Sequence, residues 1–252
     1  MWGGGDIVLF TIVTPPFWRY TMLQQCDVIN VHLHAKCWDL GLYIDCDVSL
    51  QTHVTATVRS CFAALRQIRS VRRCLPRHAL LSLIRALVVS KVDYCCSVLA
   101  GVSRQLLYRL QSILNAAARL VFSVRRSERI TPLLRELYWL RVPERITFRL
   151  CVLTHRWING SAPAYLAVNI RLTDDVKRRR HLRSSTTTTL VVPPAQRSTL
   201  GDRAFSVAEP RAWNSLPPSL RTVSSLVPFR HQLKTFLFVH SFDWHLLISP
   251  LL

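Results

Sequence analysis

The sequence predicts a mainly α protein, with a helical bundle, a short irregular α+β C-terminal region and a poorly ordered N-terminus. Three observations lead to this class. Hydrophobic residues make up 50% of the 252 residues, which is enough for a sizeable core. In the central part of the chain they recur at three- and four-residue steps, the period of a helix with one buried face. Prolines open or end the periodic segments there.

The first element with a recognisable pattern is a short strand over Leu40–Asp45, followed by a turn at Asp45–Asp47. The segment before it has no clean periodicity. Gly3–Gly5, Pro15 and Pro16 would interrupt any long element there. Residues 1–40 are therefore predicted to form short strands or to be disordered.

A long helix is predicted next, because six apolar residues make one stripe: Val54, Val58, Cys61, Phe62, Leu65 and Ile68. Pro76 ends this helix. Four more helical runs are predicted: Arg77 to about Ser90, Arg104–Phe122, a helix opened by Thr131–Pro132, and Pro143 to about Trp157. Ala79–Val102 is apolar on average, but its charged residues make it a buried helix pair, not a membrane span.

The composition divides the chain into three parts. Residues 1–40 are a degenerate N-terminal segment, and residues 41–170 form the helical domain. Residues 171–252 are a basic loop and C-terminal region, with a short strand at Leu190–Val192 and an amphipathic helix from about Leu226 to Phe238.

The charge balance indicates a nucleic-acid partner. Lysine and arginine total 33 against 14 acidic residues, a formal net charge of +19. Only four of the basic residues are lysines. Arginine presents a planar fork of donors that fits phosphate bidentately and stacks on bases. The alternative is a reading frame rich in G and C, which encodes arginine without selection for binding.

Three groups of basic residues are candidate phosphate contacts. Arg59, Arg66 and Arg73 recur every seven residues along the first helix, away from its apolar stripe. The other two groups are basic runs: Arg125 and Arg126, and Lys177, Arg178, Arg179 and Arg180. An arginine row can also be an ordinary solvated helix face.

The eight cysteines predict an intracellular protein with reduced, buried thiols, because no two are spaced C-x-x-C. His32, His34 and Cys37 lie close together but have no second ligand pair, so zinc binding there is the weaker interpretation. Trp139, Trp213 and Tyr94 are assigned to the core because they lie beside leucines or at the end of a buried helix.

No enzyme site is predicted, and no cofactor, metal or small-molecule substrate. The one adjacent acidic pair, Asp174–Asp175, has no hairpin pattern around it, whereas two-metal polymerases cluster their carboxylates. A serine nucleophile elbow, a phosphate-binding glycine loop and a metal-binding H-E-x-x-H helix are also absent from the sequence.

A series of short blocks, in order, resembles the C-terminal region of LINE-type (jockey-like) non-LTR retrotransposon reverse transcriptases. The blocks read LGLYID, SKVDYC, LQSILNAAAR, TPLL, LYWL, APAYL, GDRAF, WNSLP and FRHQLKTFLF. They start at Leu40, Ser90, Leu110, Thr131, Leu137, Ala162, Gly201, Trp213 and Phe229. Together they cover roughly residues 40–238.

The resemblance implies a last palm strand, a helical thumb and the region beyond it. A reverse-transcriptase thumb grips the backbone of the template–primer duplex, and the catalytic F/Y-A-D-D turn lies upstream of these blocks. The resemblance thus implies a fragment that binds RNA or RNA–DNA duplex and lacks polymerase activity. In the parent protein, a palm domain would be its partner. The fragment is expected in the cytoplasm or nucleus.

Two alternatives stay open. One is a helical protein-interaction module, or a non-functional translated remnant of a mobile element. The other is an active polymerase with a cryptic site that includes Asp174.

Overall fold

The computed structural model describes residues 37–39, 41–162, 171–173, 189–194 and 201–242. Over these residues the chain is mainly helical and has one two-stranded sheet, which confirms the predicted fold class. The N-terminal segment predicted as strands or disorder lies almost entirely outside the described residues, and so does the chain after Phe242.

A small hairpin precedes the helices. β1 (Cys37–Asp39) pairs antiparallel with β2 (Leu42–Ile44). Gly41, in the turn between them, has a φ of +82°, and a Cβ there would lie 3.1 Å from the ring of Tyr94. The prediction of one strand over Leu40–Asp45 is therefore wrong in its first half, because the chain turns at Gly41.

The first long helix, α1 (Gln51–Val71), is capped by an acid from outside the helix. The carboxylate of Asp45 accepts a hydrogen bond of 3.0 Å from the backbone N–H of Thr52. An acid at this position satisfies a free N–H and interacts favourably with the helix dipole. After Val71 one 3₁₀ turn (Arg72–Cys74) follows, and Pro76 separates α1 from the next helix, as predicted.

The second helical run contains a π-helical turn. α2 (Arg77–Ile84) continues through that turn (Arg85–Val89) into α3 (Ser90–Asp93), and the N–H of Ser90 donates to the carbonyl of Arg85, five residues back. The run confirms the predicted helix, but the periodicity did not predict the turn. The second helix of the predicted buried pair over Ala79–Val102 is only a 3₁₀ helix, Cys96–Leu99.

The next three helices agree with the sequence pattern. α4 (Arg104–Phe122) has the predicted bounds and packs along α1. α5 (Thr131–Glu136) and α6 (Val142–Ile158) each have a proline in the first turn, where the missing N–H costs nothing.

The C-terminal region is more helical than its sequence suggests. α7 (Phe205–Asn214), α8 (Pro218–Arg221) and α9 (Leu226–Phe242) follow one another, and α7 and α9 pack on α6. The sequence did not predict α7, because Pro210 lies inside it. Proline has no backbone N–H to donate to the carbonyl of the preceding turn. The predicted strand at Leu190–Val192 is only a single antiparallel bridge between Leu172 and Leu190.

Two apolar clusters hold the described helices together. The first lies between α1, the α2–α3 run and α4, and it includes Ile84, Ile113 and Trp139. The second joins α6 to the C-terminal helices around Trp213 and Phe229. Trp139 and Trp213 are buried and Tyr94 packs against the first cluster, which confirms the assignment of all three to the core.

The six cysteines whose side chains the structure describes are free thiols. Cys61, Cys95, Cys96 and Cys151 are buried, as predicted, whereas Cys46 and Cys74 are exposed. In the same part of the chain, no helix is both long enough and apolar enough to cross a bilayer.

Candidate nucleic-acid interface

The predicted arginine row forms one exposed face of the first helical element. Arg59 and Arg66 lie on α1 and Arg73 in the 3₁₀ turn that extends it, and all three are exposed. Buried Cys61 and Ile68 each follow an arginine of the row by two residues, which is about 200° around the helix axis. Arg59 and Arg66 therefore point away from the core, roughly 10 Å apart along the helix axis.

No described acid neutralises this row. Within the described ranges, none of Arg59, Arg66 and Arg73 has a carboxylate within ion-pair distance or a side-chain hydrogen bond. Arg77 contrasts with them, since its Nη2 lies 2.7 Å from Oε1 of Glu136. The three arginines of the row thus keep their full set of donors for a ligand.

The row belongs to a longer segment with almost no acid. Between positions 51 and 127 the sequence has thirteen arginines and lysines and one acidic residue, Asp93. The described structure exposes ten of the basic residues: Arg59, Arg66, Arg69, Arg73, Arg77, Arg85, Lys91, Arg104, Arg125 and Arg126.

Asp93 does not offset this positive surface. Its side chain is only 9% exposed, and its two oxygens lie 2.7 and 2.9 Å from Nη1 of Arg145 on α6. Because Asp93 is buried and paired, residues 51–127 present no exposed carboxylate. The positive potential over α1, the α2–α3 run and α4 is therefore not reduced by acids of the same segment.

Arg125 and Arg126 lie at the same end of the bundle as Arg73. The guanidinium of Arg77 lies 4.7 Å from the ring centre of Phe122, the last residue of α4. Arg73 precedes that contact by four residues and Arg125 follows it by three. Both Arg125 and Arg126 are exposed, although the backbone N–H of Arg125 donates to the carboxylate of Glu128, an acid just beyond residues 51–127.

The other predicted positions lie outside the described residues. These are the basic run Lys177, Arg178, Arg179 and Arg180, the acidic pair Asp174–Asp175, and the two histidines His32 and His34. In the part of the chain that the structure does describe, no three histidines, cysteines or acids are grouped so as to hold a metal ion.

The second apolar cluster contains a buried acid that the sequence did not predict. Glu209 on α7 is fully buried, and the hydroxyl of Thr154 lies 2.7 Å from its Oε1 and 3.0 Å from the carbonyl of Leu150. Its Oε2 has no partner among the described residues. Burial raises the pKa of Glu209 to about 8, and the Thr154 hydrogen bond opposes this rise.

Thr154 supplies the only hydrogen bond to this carboxyl among the described side chains, and its hydroxyl donates to Oε1. The carbonyl of Leu150 competes for the same hydroxyl hydrogen, so Glu209 is only weakly compensated for its burial. The group is enclosed by core side chains, whereas the arginine row lies on an exposed face of the first helical element. Glu209 is thus a structural acid, and no periodicity in the sequence distinguishes it from a solvated one.

Comparison with known proteins adds no relative. No family model, no curated protein and no solved structure matches this chain.

Proposed function

We propose that this chain is a basic helical module that binds the backbone of RNA or RNA–DNA duplex without reading its sequence. The blocks from Leu40 to Phe238 favour an origin in the thumb and downstream region of a LINE-type reverse transcriptase. In that family the catalytic carboxylates lie upstream, so the proposal assigns this chain no polymerase activity.

One observation carries the proposal: the segment from 51 to 127 exposes ten basic side chains and no carboxylate. Phosphates supply most of the affinity in non-specific nucleic-acid binding, and arginine is the residue best suited to them. Contacts to phosphate fix orientation but carry no sequence information. A surface of this kind therefore predicts binding that depends on charge and little on base sequence.

The rigid spacing of the row is a second support. Arg59, Arg66 and Arg73 lie on one helical element, whose backbone is held by packing of α1 on α4. Seven α-helical residues fall about 20° short of two turns, so Arg66 lies almost in line with Arg59 along α1, and Arg73 extends the exposed row in the 3₁₀ turn that follows. An elongated backbone can therefore contact all three guanidinium groups at once.

The test is a binding measurement on the full chain. A fluorescent RNA–DNA heteroduplex of about 20 base pairs is titrated with the natural protein and with an Arg59→Gln/Arg66→Gln/Arg73→Gln variant. The variant should bind at least about tenfold more weakly near physiological salt, because three phosphate contacts are lost.

The control is a second heteroduplex of the same length and unrelated sequence, which should bind the natural protein with the same affinity. Equal binding by the natural protein and the triple variant, or a strong preference for one sequence, would contradict the proposal.

A further inference from the structure

The outer face of α4 carries an aromatic side chain that does not pack in the core. Tyr108 is 73% exposed, which makes it one of the most exposed large hydrophobic side chains of the described residues. It lies two residues from both Leu106 and Leu110, which are buried, and so on the opposite side of the helix. Within the described residues its ring and hydroxyl have no ring contact and no hydrogen bond.

A second exposed tyrosine shows that exposure alone does not distinguish Tyr108. Tyr138 is 67% exposed, but its ring stacks on Phe238 of α9, with ring centres 5.5 Å apart. The fold therefore explains Tyr138 as a packing residue. It offers no such explanation for Tyr108.

The chemistry around Tyr108 is that of a nucleic-acid contact. Arg104 lies one helical turn earlier on the same face, is exposed, and has no ion pair among the described residues. Side chains on a helix lean toward its N-terminus, so the Tyr108 ring lies over the turn that contains Arg104. Both residues belong to the segment 51–127, which exposes no carboxylate.

We propose that Tyr108 is a stacking platform for an unpaired base, with Arg104 contacting the phosphate beside that base. This inference rests on the proposed function and narrows its ligand. Bases inside a duplex are stacked on each other, so a ring on a convex helix face can reach only unpaired ones. The ligand is then a nucleic acid with a single-stranded stretch, and stacking makes the contact tolerant of sequence.

The experiment compares two ligands and two substitutions in the full chain. The ligands are a blunt RNA–DNA heteroduplex and a single-stranded oligonucleotide of the same length. Tyr108→Leu keeps an apolar side chain but removes the ring, whereas Tyr108→Phe keeps the ring. Because Tyr108 is exposed and makes no described contact, both variants should fold like the natural protein, which circular dichroism checks.

Tyr108→Leu should weaken binding of the single strand about 5- to 150-fold, the effect of losing one stacked base. Tyr108→Phe should bind it normally, and both variants should bind the blunt duplex normally. Unchanged single-strand binding by Tyr108→Leu would overturn the inference. The exposed ring would then be a contact for a protein partner. Equal weakening on both ligands would also overturn it.

The two proposals fail in different ways. If the natural protein binds neither ligand, the proposed function is wrong and this inference falls with it. If it binds the duplex, but Tyr108→Leu has no selective effect on the single strand, only the stacking role is wrong.

Discussion

Arg145 and Asp93 form a buried ion pair, with Nη1 of the arginine 2.7 and 2.9 Å from the two carboxylate oxygens. Nε of the same arginine donates to the carbonyl of Leu140 at 2.9 Å. The pair joins α6 to the α2–α3 run across 52 residues of sequence. It also keeps the one acid of residues 51–127 away from the basic surface.

This pair predicts a stability effect. Arg145→Met leaves Asp93 buried without a counter-charge, which should lower the free energy of unfolding by about 3–5 kcal/mol at neutral pH. Urea denaturation followed by circular dichroism measures it. In an Asp93→Asn background the same Arg145→Met change should cost clearly less, because no charge is stranded. Equal costs in the two backgrounds would show that the pair is not coupled.

Two arginines four residues apart should differ in their effect on binding. Arg73→Gln should reduce the slope of log K against log salt by about 1, because it removes one uncompensated phosphate contact. Arg77→Gln should reduce it less, because Glu136 already neutralises Arg77 at 2.7 Å. Fluorescence anisotropy at several salt concentrations gives both slopes. Equal changes in the slope for the two variants would show that the ion pair with Glu136 does not weaken the contact of Arg77 with phosphate.

Glu209 predicts that stability depends on pH. Burial raises its pKa from 4.5 to about 8, so between those values the folded state holds a proton that the unfolded state has released. The contribution of Glu209 to the free energy of unfolding is fully present below pH 4.5. It is lost as pH rises toward 8, by at most about 1.4 kcal/mol per pH unit. Glu209→Gln should remove this dependence. The difference between the unfolding free energies of the two proteins, measured across that range, isolates Glu209 from the other titrating groups.

The six cysteines whose side chains the structure describes should fall into two classes of reactivity. Exposed Cys46 and Cys74 should react with iodoacetamide in the native protein. Four buried cysteines should react only after denaturation: Cys61, Cys95, Cys96 and Cys151. Burial raises the pKa of Cys61 to about 11 and that of Cys96 to about 12, which further suppresses the reactive thiolate. Mass spectrometry of the labelled peptides identifies each site, and rapid native labelling of Cys96 would contradict the described core.

The helices could be predicted from the sequence where residues close together in the chain determine them, through apolar spacing or a proline at the helix start. The apolar stripe of α1, the bounds Arg104–Phe122 and the prolines that open α5 and α6 each follow from residues close in sequence. Helix α7 was missed because Pro210 is unfavourable locally, and packing of Trp213 and neighbouring residues in the second core outweighs that cost.

The candidate interface could be predicted only in part. The exposed row Arg59, Arg66 and Arg73 followed from helical spacing alone. Burial of Asp93 did not, because its partner Arg145 is 52 residues away and no periodicity links them. Tyr108 could have been found, since its position opposite the apolar stripe of α4 is visible on a helical projection.

The salt dependence of heteroduplex binding tests the central claim most directly. If the basic surface neutralises about six phosphates, log K for the natural protein should fall against log salt with a slope near −5. Affinity should also be the same for unrelated sequences of equal length. Tight binding with a slope near zero, or no binding at low salt by a cooperatively folded chain, would contradict the account.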